Sequence, residues 1–543
     1  MSNEARGPDD VPEGVDQPVP ADPTTDPKDS TPDPEASVID SDDAAEHGDG
    51  APSEQPTTWL YPLDLTSAIT IEQSGSSFSC RPEHIFAAAT PAWGLSQNDL
   101  AAARTLVHAR AGSTRSSTTT ANPAEALEDG IAEAFVDLLR HEVIPKVPGF
   151  RVVRLVPPPE ARGERPITEG RASAVVVGER VVVTWVRHIV DAPHEAPTTL
   201  SHLDAVNHFE VPETHGMLLW TTPSGREVPV AWATKYLPRA RDGWDWCIDL
   251  TQRALGVDPD DMPRPPTSSG PQGIAVDSWI NDFPARLART AAKLHLALAT
   301  RSSVLPEPTA EASADLVRAW HSAATERLEA ATQVARDGLL EGVADVLLPR
   351  LDALTATVNR LAEVADAVEA GTGPPVTIQR VHGDLHVGQV LRWPGGLVVV
   401  DFHPNPVVEL AGLSVSQAMA PAARDIARLL RSLDHVARVV DKGTGFAMTA
   451  AVDAWSENAR TMLLDTYRHE LESAGHPELL DERLIAPFEA EQLCHEIVYA
   501  AQYLPSWVYA PLGGLWQSFD VAPQTEDAAA APAGTRRGRR AKP

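Results

Sequence analysis

Between Gly149 and Leu250 the chain is cut into short β-branched runs, "FRVVRLV", "SAVVVGERVVVTWVRH" and "GREVPVAWATKYL". After a Pro/Gly/Ser connector, "DPDDMPRPPTSSGPQG" at 258–273, such runs give way to long helical patterns. The order is strands first and helices afterwards. It predicts an α+β chain: a small, mostly antiparallel sheet lobe, a linker and a mainly helical lobe. Gly178-Glu179 supplies a hairpin turn, and "TLSHLDAVNHF" a short helix among the strands. Upstream, "AEALEDGIAEAFVDLLRHEVI" has helical periodicity. Beyond the connector, "WINDFPARLARTAAKLHLALAT", "ADLVRAWHSAATERLEAATQVA" and "LEGVADVLLPRLDALTATVNRLAEVADAVE" carry apolar residues at three- and four-residue spacing. Helices resume from "APAARDIARLLRSLDHVARVV" to "FEAEQLCHEIVYAAQYL". One strand–loop–strand insert interrupts them, bracketed by "PVTIQRVH" and "GLVVVDF".

The formal net charge of −31 disfavours a general nucleic-acid binder. It is uneven: residues 1–55 hold 16 Asp/Glu against two Lys/Arg, about −14 in that segment alone. Rich in Pro and Ser, this leader reads as disordered because it cannot bury enough apolar area to offset its chain entropy. Residues 56–129 form an extension in which "TTWLYPLDL" and "AITIEQ" read as strands, "SQNDLAAARTLVHARA" as a helix and "STRSSTTTANP" as a loop. The sheet lobe then spans 130–257 and the helical lobe 274–520, followed by a disordered basic tail at 521–543 (Arg536, Arg537, Arg539, Arg540, Lys542). The three cysteines, Cys80, Cys247 and Cys494, form no CxxC pair. A disulfide framework or zinc site is not expected, and a reducing cytoplasm is the natural compartment. No stretch approaches the ~20 apolar residues of a membrane span, and "MSNEARGPDDVPEG" has no secretory pattern.

Chemistry concentrates in "RVHGDLHVGQVLRWPGGLVVVDFHPNP". His382 and His386 have the spacing of a helical metal pair, but Gly383 and the flanking strands oppose a helix there. "GD" and "DFH" resemble fragments of two-metal phosphoesterase sites, yet in reversed chain order. Phosphoryl transfer fits better. Such a centre needs an Asp to receive the acceptor hydroxyl's proton, a side-chain amide to hold Mg²⁺, and a second Asp after the next strand. Asp384 is followed five residues on by Gln389, and the apolar run "GLVVV" delivers Asp401. Carboxylates suit a hard cation, and an amide completes its shell without added charge.

"VHGDLHVGQVLR" resembles the catalytic loop of the aminoglycoside-phosphotransferase-like kinases, in particular the actinobacterial maltokinase and glucosamine-kinase group. "ERPITEGRASAVVVGERVVVTWV" resembles that group's first strands, "YLPRARDGWDWCIDL" its inter-lobe segment, and "PAARDIARLLRSLDHVARVV" with "EIVYAAQYLPSWVYAP" its C-terminal helices. The likeness covers roughly residues 130–515. "SLDHV" and the Asn in "NP" look more like glucosamine kinases. The resemblance implies a two-lobed, protein-kinase-like fold with ATP in the cleft, Asp384 as catalytic base, and Gln389 and Asp401 on Mg²⁺. Ala233, Thr234, Lys235 and Tyr236 would be the hinge touching adenine. A sugar would lie over Asp384, with Arg392, His403, Glu496, Trp507 and Tyr509 as candidate contacts. Its preferred acceptor would be the 6-OH of glucosamine; maltose or an aminoglycoside antibiotic is the alternative. No nucleic-acid or membrane partner is expected of the folded core.

Two positions depart from the group. Thr184 stands where relatives carry the Lys that pairs with the α/β-phosphates. Arg187 would lie on the opposite face of a regular strand, and Lys235 is in the expected hinge. In "DFHPNP", His403 replaces an acidic residue and Pro404 a Gly, so a fixed φ without an N–H replaces a permissive one. A degenerate, nucleotide-binding pseudokinase is therefore a second expectation.

Overall fold

The computed structural model describes residues 69–71, 77–80, 130–141, 149–167, 173–185, 188–190, 194–222, 224–257, 279–402 and 419–519. The acidic leader, the 258–273 connector, His403, Pro404, Arg187 and the basic tail lie outside these residues, as do the expected strand "TTWLYPLDL" and helix "SQNDLAAARTLVHARA".

The first part of the described chain is β1 (Ile69–Ile71), β2 (Ser77–Cys80), α1 (Ile131–Arg140), β3 (Phe150–Arg154), β4 (Glu164–Ile167), β5 (Ser173–Val177), β6 (Val181–Trp185), β7 (His188–Val190), α2 (Ala196–Ala205), β8 (Thr214–Thr221) and β9 (Glu227–Lys235). Six strands form one antiparallel sheet in the order β3-β8-β9-β6-β5-β4. β7 leaves it to pair with β2, which pairs with β1. The β5–β6 hairpin turns through Gly178 and Glu179, both at positive φ (58° and 52°), as the sequence predicts. At the start of α1 the Glu164 carboxylate accepts the backbone N–H groups of Gly130 and Glu133 at 2.8 Å each. That carboxylate satisfies orphan donors of the helix start.

The strand "THGMLLWT", β8, is missing from the strands expected above. It is buried along nearly its whole length, so it reads as a continuous apolar run rather than an alternation. Its two faces still separate. Leu218 and Trp220 join the core under α1, while Met217 and Leu219 join the core of the helical lobe. One strand thus ties the two cores together through its period of two.

The helical lobe contains α3 (Gly243–Ala254), α4 (Phe283–Leu298), β10 (Thr309–Glu311), α5 (Ala314–Arg336), α6 (Val343–Leu347), α7 (Leu351–Ala370), β11 (Thr377–Gln379), β12 (Val390–Trp393), β13 (Gly396–Val399), α8 (Ala423–Gly443), α9 (Thr449–Ala474), α10 (Ile485–Gln502) and α11 (Tyr509–Ser518). The single helix expected from "LEGVADVLLPRLDALTATVNRLAEVADAVE" is split into α6 and α7 by a 3₁₀ turn at Leu348–Arg350, where Pro349 lacks the N–H a continuous helix needs. The catalytic loop also hides a strand. "VLRW" is β12, and it pairs with β13 from Val390↔Val399 to Trp393↔Gly396.

Two close approaches clamp this hairpin. Arg241 and Arg392 exchange backbone hydrogen bonds at 2.8 and 3.1 Å. The start of α3, capped by the Asp242 carboxylate accepting from Trp244 N–H (2.8 Å), lies so near Val387 that a Cβ on Gly243 would sit 1.6 Å from the Val387 carbonyl oxygen. Trp246 Nε1–H then donates to the Val390 carbonyl (2.9 Å). Among the described residues no helix is long and apolar enough to cross a membrane.

Candidate active site

The loop from Arg380 to Gln389 is held from below by a buried carboxylate. Asp425, on α8 and without exposure, accepts the backbone N–H groups of His382 (2.8 Å) and Gly383 (2.9 Å). It also accepts from His295 Nε2 (3.1 Å), whose Nδ1 lies 2.6 Å from the Tyr467 hydroxyl. Burial works to raise the Asp425 carboxyl. The His295 hydrogen bond and charge, with those of His382, outweigh it and hold the group below the usual carboxylate range. Further along α8, Ser432 Oγ accepts the Val387 N–H (3.0 Å) and donates to the Leu429 carbonyl (2.8 Å).

Backbone contacts tie this loop to the β12–β13 hairpin. His382 Nε2 bonds the Val400 carbonyl (2.9 Å) and its ring packs on Phe402 (centroids 4.7 Å apart), so the start of the loop is tied to both neighbours of Asp401. Val400 N–H donates to the Gln389 carbonyl (2.9 Å), placing Gln389 and Asp401 at the same end of the β12–β13 hairpin. Asp401 leaves the strand at φ 63°, a left-handed conformation uncommon for a non-glycine residue. Strain of this kind concentrates at functional sites. Asp384 is half-buried, and Arg428 Nη1 on α8 donates to both its Oδ1 (2.9 Å) and the Gly383 carbonyl. Burial pushes the Asp384 carboxyl up, but Arg428, then His386, His382 and His495, hold it below its ordinary value, so it is ionised near neutrality. Two carboxylates and an amide around one loop are a hard-oxygen donor set of the kind Mg²⁺ takes, with the rest of its shell left to water and phosphates.

Beside the loop stands an aromatic group. The His435 ring lies 5.3 Å from Trp244, 5.3 Å from Trp507 and 6.5 Å from Tyr509, and Trp244 lies 5.8 Å from His386. Trp507 keeps 41% of its surface exposed. Burial lowers His435 to about 4 and raises Tyr509 to about 12. Glu496 accepts from Gln492 Nε2 at 3.1 Å through Oε1, while its buried Oε2 has no hydrogen-bond partner. Burial, with Asp434 adding to it, pushes its carboxyl up. Arg392, in contrast, is engaged elsewhere: its guanidinium lies over the Trp279 ring at 4.2 Å.

The sheet places the expected hinge segment and Thr184 as follows. Ala233, Thr234 and Lys235 lie inside β9, paired to β6 by Val183↔Ala233, Val182↔Thr234 and Val181↔Lys235, with β8 on the other edge at Ala233 and Thr234. β9 ends at Lys235, whose N–H donates to the Glu213 carbonyl (2.8 Å), and Tyr236 follows the strand. Thr184 pairs with Trp232 and Ala174 and is buried. Val181 and Val183 face the core under α1, so by alternation Thr184 faces the other way, on the side of the expected Lys. Lys235, opposite Val181, shares the α1 face and cannot replace that cation.

Sequence reasoning missed Asp425, His295 and Arg428. The available signal was Asp425 itself, a carboxylate inside the apolar periodicity of "ARDIARLL". A charge at such a position needs partners.

A sheet lobe followed along the chain by a helical lobe, with Asp384, Gln389 and Asp401 on one loop and hairpin of the latter, is the element order of a kinase-like fold. Comparison with known proteins is specific within that class. The chain is 33% identical over 398 residues to a glucosamine kinase of Mycolicibacterium smegmatis, covering 73% of this chain and 90% of the relative. It is 33% identical over 387 residues to a glucosamine kinase of Streptacidiphilus jiangxiensis, covering 70% and 80%. Solved glucosamine kinase structures align over 71% of this chain and 82% of theirs. One crystal form gives a TM-score of 0.57 at 30% identity; a complex with glucosamine, ADP and inorganic phosphate gives 0.54 at 31%. No family model matches the chain. The chain belongs to the glucosamine kinase family, a family of sugar kinases.

Proposed function

We propose that the protein transfers the γ-phosphoryl group of ATP to the 6-OH of glucosamine, with Asp384 as the base and Mg²⁺ held by Gln389 and Asp401. The observation that carries this reading is the pinning of the catalytic loop. Asp425 fixes the backbone on one side of Asp384, and the Val400–Gln389 bond fixes the end of the hairpin that offers Gln389 and Asp401. Magnesium, when bound, supplies charge neutralisation for the β- and γ-phosphate oxygens. Asp384 takes the proton of the sugar hydroxyl as its oxygen forms a bond to the γ-phosphorus and the bond to the bridging β–γ oxygen breaks, releasing ADP. An ionised carboxylate is what this step requires, and the cations around Asp384 keep it so. Glu496, with an unbonded buried oxygen, suits an ammonium-bearing sugar. Trp507 offers a face for the sugar's C–H surface, with Tyr509 behind it.

The domain division follows from the same reading: a kinase-like sheet lobe at 130–257, a linker, and a catalytic helical lobe at 274–520. The test is ADP release over a panel of sugars, maltose and aminoglycosides with ATP and Mg²⁺. Glucosamine-stimulated release that Asp384→Asn abolishes is expected, and its absence across the panel overturns the assignment. A second reading, nucleotide binding with little turnover, is favoured by the neutral Thr184 on the cleft face. Thr184→Lys separates the two: a large gain in turnover identifies the missing cation as a defect, and no gain leaves the kinase reading intact.

A further inference from the structure

The sheet-lobe helix α2 touches the helical lobe at its start, at its middle and in the turn beyond it. At the start, the Glu195 carboxylate pairs with Arg380 Nη1. At the middle, the buried His202 donates from Nε2 to the Ala297 carbonyl (3.0 Å), with Nδ1 2.8 Å from the Ser302 hydroxyl. In the turn, the Glu210 carbonyl accepts the Val399 N–H (2.7 Å), and its carboxylate accepts from Lys293 Nζ on α4 (2.6 Å). The first and last of these contacts bracket the chemistry: Arg380 stands four residues before Asp384, and Val399 two before Asp401. The Glu195–Arg380 pair is mostly withdrawn from water, with 14% of the Arg380 side chain and 31% of Glu195 exposed. Arg380 Nε is buried without a hydrogen-bond partner, so the guanidinium depends on its bond to Glu195. Glu195 stands at the positive end of α2, where a carboxylate is favoured and a bare guanidinium is not. Its side chain caps no α2 N–H, so its work there is the pair and not the helix start.

We infer that Glu195 and Arg380 are positioning residues for phosphoryl transfer, their ion pair setting the loop that carries Asp384 in register with the sheet lobe. The inference rests on the kinase reading, in which the sheet lobe presents ATP to the acceptor. The other contacts of this stretch lie within the helical lobe. Gln379 and Ala420 exchange backbone hydrogen bonds (3.0 and 2.8 Å), and Asp425 holds His382 and Gly383. Glu195 adds the tie to the other lobe at the loop's entrance. Removing either partner leaves a mostly buried charge uncompensated, and the freed side chain turns to water and releases the loop. Asp384 acts on the acceptor hydroxyl during transfer, so the error falls on turnover more than on substrate binding. A misplacement of about 1 Å costs on the order of tenfold or more.

The experiment measures ADP release and amide hydrogen exchange on the full chain for Glu195→Gln, Arg380→Gln, the double variant and Arg380→Lys. Each Gln variant is expected to lower kcat about tenfold or more, with KM for glucosamine changed less than about threefold. Each is also expected to speed exchange in the 381–389 loop about tenfold, with α7 unaltered. The double variant is expected to lose no more kcat than the worse single variant, because the two residues act as one unit. Arg380→Lys, which keeps the charge, is expected to recover most of the turnover lost in Arg380→Gln. A kcat within about threefold of the wild type in both Gln variants overturns the inference, as does unchanged loop protection in both. So does a double variant whose loss is the product of the single losses, or a lower melting temperature with kcat per folded molecule unchanged. Should Arg380→Gln fail to fold, Glu195→Gln and Arg380→Lys decide. Exchange involves no catalysis, so a wild type that turns over no sugar sinks the kinase reading while loop protection in the variants still decides the pair.

Discussion

Asp425→Asn is the most informative single change to the platform under the catalytic loop. Oδ1 accepts from Gly383 N–H at 2.9 Å, and Oδ2 accepts from both His382 N–H at 2.8 Å and His295 Nε2 at 3.1 Å. An amide has one oxygen, so the less costly orientation keeps it where Oδ2 was and sets its NH₂ against the Gly383 N–H. One charge-assisted bond is lost and one loop donor is left facing a donor, a cost of about 1.5–3 kcal/mol. Asp425→Ala loses all three contacts and is expected to cost about 3–5 kcal/mol, as for a broken buried pair. Denaturant unfolding of both variants measures these values. The pH dependence carries a sign. The folded-state carboxyl lies below its unfolded value of about 3.9, so its contribution is full above that value and lost as pH falls through the folded one. Asp425→Asn removes that part of the acid-side decline. If Asp425→Asn unfolds within about 0.5 kcal/mol of the wild type, the carboxylate is not holding the loop and the reasoning fails.

Gly243→Ala is expected to destabilise by about 1–3 kcal/mol or more and to lower turnover, because its Cβ would fall 1.6 Å from the Val387 carbonyl oxygen; thermal melts and ADP release check both. Arg428→Met removes the largest influence holding Asp384 below the ordinary carboxylate range. The acid limb of the kcat profile is therefore expected to move to higher pH, whereas an unmoved limb shows that Asp384 is not the group titrating.

The functional centre was more legible than its supports. Asp384, Gln389 and Asp401 announce themselves by residue type, spacing and an intervening apolar run. β12 did not, because "VLRW" is flanked by glycines and polar residues that read as loop; only pairing with β13 makes it a strand. That the expected hinge segment overlaps the end of β9, which runs to Lys235, is a property of sheet pairing and not of "ATKY". Asp425 and Arg428 act across 40 or more residues of chain on Gly383 and Asp384. One sequence without tertiary contacts gives no measure of such distances. The split of β8 between two cores was hidden because both its faces are apolar.

The central claim is that Asp384, Gln389 and Asp401 converge on one magnesium beside the acceptor hydroxyl. Sugar-stimulated ADP release measured against Mg²⁺ concentration tests it most directly, comparing the wild type with Asp401→Asn and Gln389→Ala in variants shown to be folded. Both variants are expected to need at least tenfold more Mg²⁺ for half-maximal turnover, Asp401→Asn with the larger loss of kcat. An unchanged Mg²⁺ requirement in both contradicts it.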